Sequence, residues 1–214
     1  MKRFNVKDFG AKGDGVTLDT LSVQNAINEA SKVNGEVYFP EGSYVLSTLD
    51  LLNNVHLNIT TSATILGADN FYKYRMQEQI DYPLYQDQSH SYFDCSLFVA
   101  KNVNNISIYG GGLIDMRSVW DEDNVREIVH RGPKCIALKE CNKVEIKDIS
   151  IKNATDLAVY FAGCNDVIIK GLDLYVYIDG ISPDCSKHVL IEDCNVESGD
   201  DGIVFKSSYT LGNI

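Results

Sequence analysis

The sequence predicts an all-β protein, a parallel β-helix with one helix at its N-terminal end. Short segments alternate apolar and polar residues, which is typical of strands with one buried face. These segments recur at a spacing of about 22 residues over the second half of the chain. Because a short strand repeated at a constant offset buries its face only by stacking on its neighbours, the pattern indicates a solenoid.

The first predicted element is a helix over residues 20–33. Asp19 or Thr20 can serve as its N-cap, and Gly35 follows its end. We expect this helix to cover the apolar end of the first coil, as terminal repeats of solenoids must. Its apolar face is formed by Leu21, Ala26, Ile27, Ala30 and Val33.

Two stretches lack the repeat, residues 69–94 and 116–134, while strand patterns at 55–59 and 106–115 flank the first of them. We expect both stretches to project from the stack as loops, where solenoids often carry their binding surface. Their aromatic side chains suit stacking on sugar rings or packing within their own loop, and both interpretations stay open. These aromatic residues are Tyr72, Tyr74, Tyr82, Tyr85, Tyr92 and Trp120.

The clearest repeat begins at Cys141. Residues 141–151 match residues 164–174 at an offset of 23, and the next copy, 187–196, lies 22 residues further on. We therefore predict three stacked coils with two apolar columns in register. The columns are Val144, Val167 and Val189, and Ile146, Ile169 and Ile191.

Composition limits the possible functions. The 214 residues include 19 Lys+Arg and 30 Asp+Glu, which gives a net charge of −11, and 44% of them are hydrophobic. We expect one folded β-helix domain over 1–214, a monomer, with no membrane or nucleic-acid partner. The chain stops just after a strand, so we expect further C-terminal coils to be missing from it.

The start of the chain and its cysteines bear on its compartment. No apolar stretch of signal-peptide length follows Met1, which leaves the compartment open but favours a cytoplasmic protein over a secreted one. Six cysteines without Cys-x-x-Cys spacing favour buried thiols over a zinc site or disulfides.

The candidate chemistry lies in a second repetition. The motif Asp-Gly-Ile begins at Asp179 and again at Asp201, one coil later, with Asp200 beside the second copy. Stacked strands lie about 4.7–4.9 Å apart, so the carboxylates should meet and one pKa should rise, as a general acid–base pair requires. A purely structural Asp ladder is the alternative, since Asp156 aligns with Asp179 at an offset of 23.

At these motifs the chain resembles the polygalacturonase-like glycoside hydrolases, which cleave pectin-type polysaccharides. That resemblance implies a right-handed, pectate-lyase-like β-helix. It covers nearly the whole chain and is most specific at residues 198–207, which read Ser-Gly-Asp-Asp-Gly-Ile-Val-Phe-Lys-Ser. Further matching segments are 8–15, 39–44, 110–115 and 179–184.

The resemblance implies that Asp179, Asp200 and Asp201 are catalytic and that no metal or cofactor takes part. Asp200 would protonate the leaving oxygen, while Asp179 and Asp201 would deprotonate a water on the opposite face, giving inversion. Inverting carboxyls usually lie about 6.5–9.5 Å apart, and we expect that wider gap to separate Asp200 from the other two. Lys206 would bind a carboxylate of the pectic substrate.

The chain departs from the family pattern at several positions. Tyr177 and Ile178 replace the usual Asn-Thr before Asp179, and Ser182 stands where an aspartate is common. The later Gly-His-Gly and Arg-x-Lys motifs do not occur in the sequence. His188 is no substitute, because the strand pattern puts it on the outer face.

Two rival interpretations stay open. The first is a polysaccharide lyase on the same fold, with Ca²⁺ held by Asp179, Asp184, Asp200 and Asp201. The second is a non-catalytic glycan-binding module or adhesin. The choice of homogalacturonan or rhamnogalacturonan as substrate also stays open.

Overall fold

The protein is described by a computed structural model that covers residues 1–79, 88–125 and 130–208. In these residues, strands wind into three parallel sheets, each built from one strand of successive coils. Sheet A consists of β1 (Arg3–Asn5), β3 (Gly35–Phe39), β6 (Val55–Ile59), β9 (Asn104–Tyr109), β12 (Asn142–Lys147), β15 (Asn165–Lys170) and β18 (Lys187–Glu192).

The other two sheets complete each coil. Sheet B consists of β2 (Asp14–Leu18), β4 (Gly42–Leu46), β7 (Ala63–Gly67), β10 (Leu113–Asp115), β13 (Ser150–Lys152), β16 (Asp173–Val176) and β19 (Asn195–Ser198). Sheet C consists of β5 (Leu49–Asp50), β8 (Ser96–Lys101), β11 (Lys134–Lys139), β14 (Val159–Ala162) and β17 (Ile181–Asp184).

The register of sheet A follows the sequence repeat. Val144 pairs with Val167, and Val167 pairs with Val189, while the isoleucine column two residues later pairs in the same way. The inward side chains of the three sheets form one continuous apolar core. A second, smaller apolar cluster lies on the outer face of sheet C, and it contains Phe93, Ala137, Leu157, Tyr160 and Ala162.

The predicted N-terminal helix is present as α1, Thr20–Ser31. Its buried residues are spaced as one helical face and pack in the main core: Val23, Ala26, Ile27 and Ala30. Leu21 and Val33 are exposed, so the prediction that they belong to the apolar face is wrong: Leu21 lies off the buried stripe, and Val33 lies beyond the end of α1. Asp19 occupies the N-cap position of α1, and its carbonyl accepts the N–H of Val23 at 3.0 Å. Its carboxylate makes no capping hydrogen bond and instead accepts the N–H groups of Lys12 and Gly13.

The described part of the first stretch without the repeat, 69–94, contains no strand. It contains two short 3-10 turns, Phe71–Lys73 and Gln88–His90. Tyr74 is buried, whereas Tyr72 is exposed and Tyr92 and Trp120 are half-buried. Tyr82 and Tyr85 lie outside the described residues, as does the chain end at 209–214. The predicted loop at 116–134 ends one residue early, since Lys134 begins β11.

Two further features bear on the predictions from composition. No helix in the described ranges has the length and apolarity that crossing a membrane requires. The six cysteines are free thiols: Cys95, Cys135, Cys141 and Cys164 are buried, and Cys185 and Cys194 are half-buried.

Candidate active site

Asp179 and Asp201 occupy the same position in consecutive coils. The N–H of Gly180, at the start of the turn into β17, donates to the carbonyl of Asp201 at 2.9 Å, and Ile181 pairs with Ile203. The backbone N–H of Asp201 also donates to Asp179 Oδ1 at 3.3 Å. The spacing of 22 residues therefore places one carboxylate directly over the other.

Asp200 joins this pair through a close contact between coils. Gly199 lies against the carbonyl of Tyr177 in the coil below, where a Cβ would stand 2.2 Å from the carbonyl oxygen. The absence of a side chain at residue 199 lets the chain turn tightly, and the N–H of Asp200 donates to the carbonyl of Ile178 at 3.4 Å. One carboxylate oxygen from each aspartate lies within 4.8 Å of the others.

The acidic cluster of Asp179, Asp200 and Asp201 brings one oxygen of each carboxylate within 4.8 Å of the others. Asp200 therefore lies beside the stacked pair, as the sequence predicts, because the Gly199 turn brings it against the lower coil. This distance joins the nearest oxygens, whereas the distances typical of glycosidases are measured between whole carboxyl groups. Retaining glycosidases usually have carboxyls about 5–5.5 Å apart and inverting ones about 6.5–9.5 Å.

The three aspartates differ in their environment. Asp179 is 4% exposed, whereas Asp200 and Asp201 are exposed. Burial raises the pKa of Asp179, and the neighbouring charge of Asp200 adds to this effect. The N–H of Asp201 and the positive potential of His90 and Arg131 oppose it. Proton transfer near neutral pH needs a carboxyl group with such a raised pKa.

A buried ion pair lies on the same side of the coil. Lys134 Nζ lies 3.3 Å from Asp156 Oδ2, and the two side chains are 1% and 0% exposed. Arg131 Nη1 lies 3.9 Å from the other oxygen of Asp156, which also accepts the N–H of Leu157. Asp156 therefore holds two basic side chains beneath the coil that carries Asp179.

Asp156 does not belong to the column of Asp179. Val159 pairs with Ile181 at an offset of 22, which places Leu157, not Asp156, under Asp179. The alignment at 23 was wrong here because this coil is one residue shorter than the preceding one. Asp156 is therefore not part of the acidic cluster, and its position gives no support for a structural Asp ladder.

Lys206 lies farther along sheet C. It pairs with Asp184 across one rung, and Asp184 in turn pairs with Ala162, whose side chain belongs to the outer cluster of sheet C. Lys206 is half-buried and takes its place on this outer face. Asp184 is fully buried and accepts the N–H of Ser208 at 2.8 Å and the hydroxyl of Tyr160 at 3.3 Å.

The residues offer one set of oxygen donors that a cation could use. Among the described residues, the acidic cluster of Asp179, Asp200 and Asp201 is the group that brings such atoms together. Asp184, the fourth member of the calcium set considered for a lyase, is engaged elsewhere by Ser208 and Tyr160. His188 lies on the exposed face of sheet A beside Asp166, as the strand pattern predicts.

The comparison with protein families identifies the chain. The model of the family described as "Rhamnogalacturonase A/epimerase, pectate lyase-like" matches residues 3–214. The chain belongs to this family. The sequence resemblance to polygalacturonase-like, pectin-degrading proteins is thereby confirmed.

Individual relatives agree with this family assignment. The chain is 26% identical to a probable polygalacturonase of Vitis vinifera over 94% of its own length and 44% of the plant protein. It superposes on the Family 28 exopolygalacturonase of Yersinia enterocolitica with a TM-score of 0.81 and 25% identity, covering 95% of this chain and 45% of that one. It therefore spans less than half of either protein.

One relative of this chain is named as a binding protein. The plasmin and fibronectin-binding protein A of Streptococcus pneumoniae is 28% identical over 77% of this chain and 23% of its own length. The predicted fold, a right-handed parallel β-helix with a capping helix, is confirmed.

Several polar groups of this family member escaped the sequence analysis. Arg131 and Lys134 fall at the end of an aperiodic stretch, where charged residues look like an ordinary loop surface. Tyr160 has the alternation of a strand residue, yet its hydroxyl donates to the carbonyl of His90 and to Asp184. The available signal was their position in the sequence, about one or two repeat lengths before the Asp-Gly-Ile motifs.

Proposed function

We propose that the chain is a glycosidase that hydrolyses a pectin-type polysaccharide by general acid–base catalysis at Asp179, Asp200 and Asp201. The observation that carries the proposal is the buried Asp179 stacked on Asp201, with Asp200 in the same 4.8 Å cluster. Similarity to polygalacturonases supports the substrate class. The proposed reaction uses no metal.

The roles are assigned from the resemblance to the family motif. Asp200 acts as the acid, and its exposed side chain can reach the oxygen of a leaving sugar. Asp179 is buried, and its pKa is raised by that burial, so together with Asp201 it forms a base with appreciable affinity for the proton of a water molecule. Lys206, on the outer face of sheet C, binds a carboxylate of the substrate.

Stereochemistry gives a separate test of this mechanism. The proposal assigns inversion, with a water molecule held by Asp179 and Asp201. Proton NMR of the first sugar anomer released distinguishes inversion from retention. A product of inverted configuration supports the assigned roles, whereas a retained configuration makes one carboxylate a nucleophile.

The main experiment is the substitution Asp200→Asn, assayed by reducing-end release from pectic oligosaccharides. We expect turnover to fall roughly 10²–10⁴-fold, because the Asn amide cannot donate a proton to the leaving group as an acid does. Asp193→Asn is the matched control: Asp193 is exposed, lies in a turn with a φ of 54°, and can be replaced by Asn without strain. Unchanged turnover in Asp200→Asn would reject the assignment.

A non-catalytic binding module is the second candidate, favoured by the similarity to the pneumococcal binding protein. It predicts saturable binding of oligosaccharides with no product at any pH, and binding that survives Asp200→Asn. A lyase instead releases an unsaturated sugar that absorbs in the near ultraviolet and stops when a chelator is added. The product spectrum therefore separates the three possibilities.

A further inference from the structure

A cavity of about 330 Å³ opens between residues 69–72 and 117–123. This volume falls at the lower end of the range for small-molecule sites, roughly 300–1,000 Å³. Its walls include the rings of Tyr72 and Trp120. Tyr72 is fixed in place by its hydroxyl, which donates to Asp123 Oδ2 at 2.6 Å. The cavity therefore offers an aromatic surface in which the Tyr72 ring is held by a hydrogen bond.

Tyr177 links the wall of the cavity to the candidate active site. The rings of Trp120 and Tyr177 meet edge to face, with centroids 5.5 Å apart, and Ser118 Oγ donates to the Tyr177 hydroxyl at 3.3 Å. Both Trp120 and Ser118 line the cavity. Tyr177 precedes Asp179 by two residues and lies under Gly199, next to Asp200. Tyr177, at 45% exposed, therefore bridges the cavity and the acidic cluster.

The lining of the cavity is acidic. It carries four carboxylates, from Asp69, Asp121, Glu122 and Asp123, and one guanidinium, from Arg117. Lys73 pairs with Asp69 at 2.6 Å, and the buried Asp121 accepts the N–H of Val125. The exposed carboxylates of Glu122 and Asp123 therefore lie beside the single guanidinium of Arg117 and leave this wall acidic. Carboxylates accept hydrogen bonds from sugar hydroxyls but repel a sugar that is itself an anion.

We infer that this cavity is a subsite for an uncharged sugar unit of the polysaccharide, with Trp120 and Tyr177 as its stacking surface. The inference rests on the proposed function and makes it more specific. The substrate chain carries a neutral or esterified unit at the Trp120 end of the cleft, while any free uronate lies toward Lys206. An unesterified polyuronate is disfavoured in this subsite.

The test uses two ligands with the same sugar backbone, hexagalacturonate as the free acid and the same hexamer as its uncharged methyl ester. Trp120 is the only tryptophan of the chain, so intrinsic fluorescence reports on this cavity. Titrations are made on Asp200→Asn to prevent cleavage. We expect the ester to change the emission saturably and to bind at least roughly fivefold more tightly than the acid. The ratio of the two dissociation constants should become smaller at about 0.5 M salt, because salt screens the repulsion of the acid.

Two variants assign the preference to this cavity. Glu122→Gln removes one lining charge and should reduce the preference for the ester, while Glu41→Gln, an exposed change on another part of the stack, should leave it intact. Tyr177→Ala should weaken both ligands, because it removes part of the stacking surface. Equal or tighter binding of the free acid, or binding without any change in emission, would overturn the inference.

Failure of this inference is distinguishable from failure of the proposed function. Hydrolysis of both hexamers is measured separately on the unsubstituted chain. If the ester binds at Trp120 and neither hexamer is cleaved, the subsite stands and the hydrolase assignment falls. If cleavage occurs and the emission favours the acid, the subsite assignment alone falls.

Discussion

The outer faces of sheets A and C show two uses of the same repeat. On sheet A the outward column runs Lys147, Lys170 and Glu192 in register, and the Lys170–Glu192 ion pair is 2.7 Å long with both side chains well exposed. On sheet C the corresponding ion pair, Lys134–Asp156, is almost completely buried. One face is an ordinary solvated surface, and the other is the floor of a covered cleft.

The difference comes from what lies above each face. The aperiodic residues between β7 and β11 pack Phe93 and His90 over Tyr160 on sheet C, and the described residues place no such cover over sheet A. Under this cover, charges lose most of their hydration, so each needs a partner. The acidic cluster lies at the edge of the same covered region, where burial can raise the pKa of Asp179. In this stack the proposed catalytic cluster therefore lies beside the region that irregular segments cover.

The largest effect that we expect comes from breaking the ion pair of sheet C. Lys134→Met leaves the buried Asp156 carboxylate with too little compensation and should reduce the free energy of unfolding by about 3–5 kcal/mol. Lys170→Met, which breaks the exposed pair of sheet A, should leave it nearly unchanged. Urea denaturation followed by circular dichroism measures both. Equal losses in the two variants would mean that the cover over sheet C does not exclude water.

A second pair of variants compares the inside and outside of one strand. Ile169→Ala removes a fully buried side chain from β15 and should cost about 2–5 kcal/mol of unfolding free energy. Ile168→Ala, on the outer face of the same strand, should change it by less than about 0.5 kcal/mol. The midpoint and slope of the same urea curves give the result, and similar costs at both positions would contradict the alternation of β15.

The smallest expected effect is a pH dependence of opposite sign at two aspartates. The folded-state pKa of Asp179 is raised above the usual 3.8, chiefly by burial, so its contribution to stability is complete below pH 3.8 and is lost as the pH rises through the raised value. The uncharged Asp179→Asn variant should therefore be more stable than the parent at neutral pH, and this gain should vanish below about pH 3.8.

Asp14 in sheet B provides the contrast. Hydrogen bonds from the N–H groups of Thr17 and Val16 and from the Thr17 hydroxyl lower its pKa to about 2. Its contribution is therefore present above the usual 3.8 and disappears as the pH falls toward about 2. Asp14→Asn should be less stable than the parent at neutral pH. Melting temperatures of both variants between about pH 2 and pH 7 check the signs, and parallel curves would refute the assignment of burial as the cause at Asp179.

The sequence was sufficient to predict the stack because stacking is a local, repeated requirement. Val144, Val167 and Val189 fall in one column since each must fill the same space in successive coils. The same reasoning misplaced Asp156, because coil length varies by one residue between β11, β14 and β17. A shift of one residue moves a side chain out of its column, and no composition signal marks where it occurs.

The covered side of the site was beyond sequence reasoning for a different reason. Trp120 and Tyr177 are 57 residues apart, and their contact depends on the path of an aperiodic segment. Lys134 looks like any strand-end lysine until the partners that bury it are known. The positions of Asp179, Asp200 and Asp201 were predictable because the repeat itself carries them. The compactness of their cluster depended on the close approach of Gly199 to Tyr177, which only coordinates reveal.

The stacked aspartates come from two successive windings, so the proposed catalytic site is completed late in synthesis. Asp179 emerges from the ribosome more than twenty residues before Asp201, and no local segment contains all the side chains of the cluster. In a solenoid that adds one winding at a time, the proposed chemistry requires that the later winding dock on the earlier one. Docking at that single junction is therefore the folding step on which the proposed activity depends.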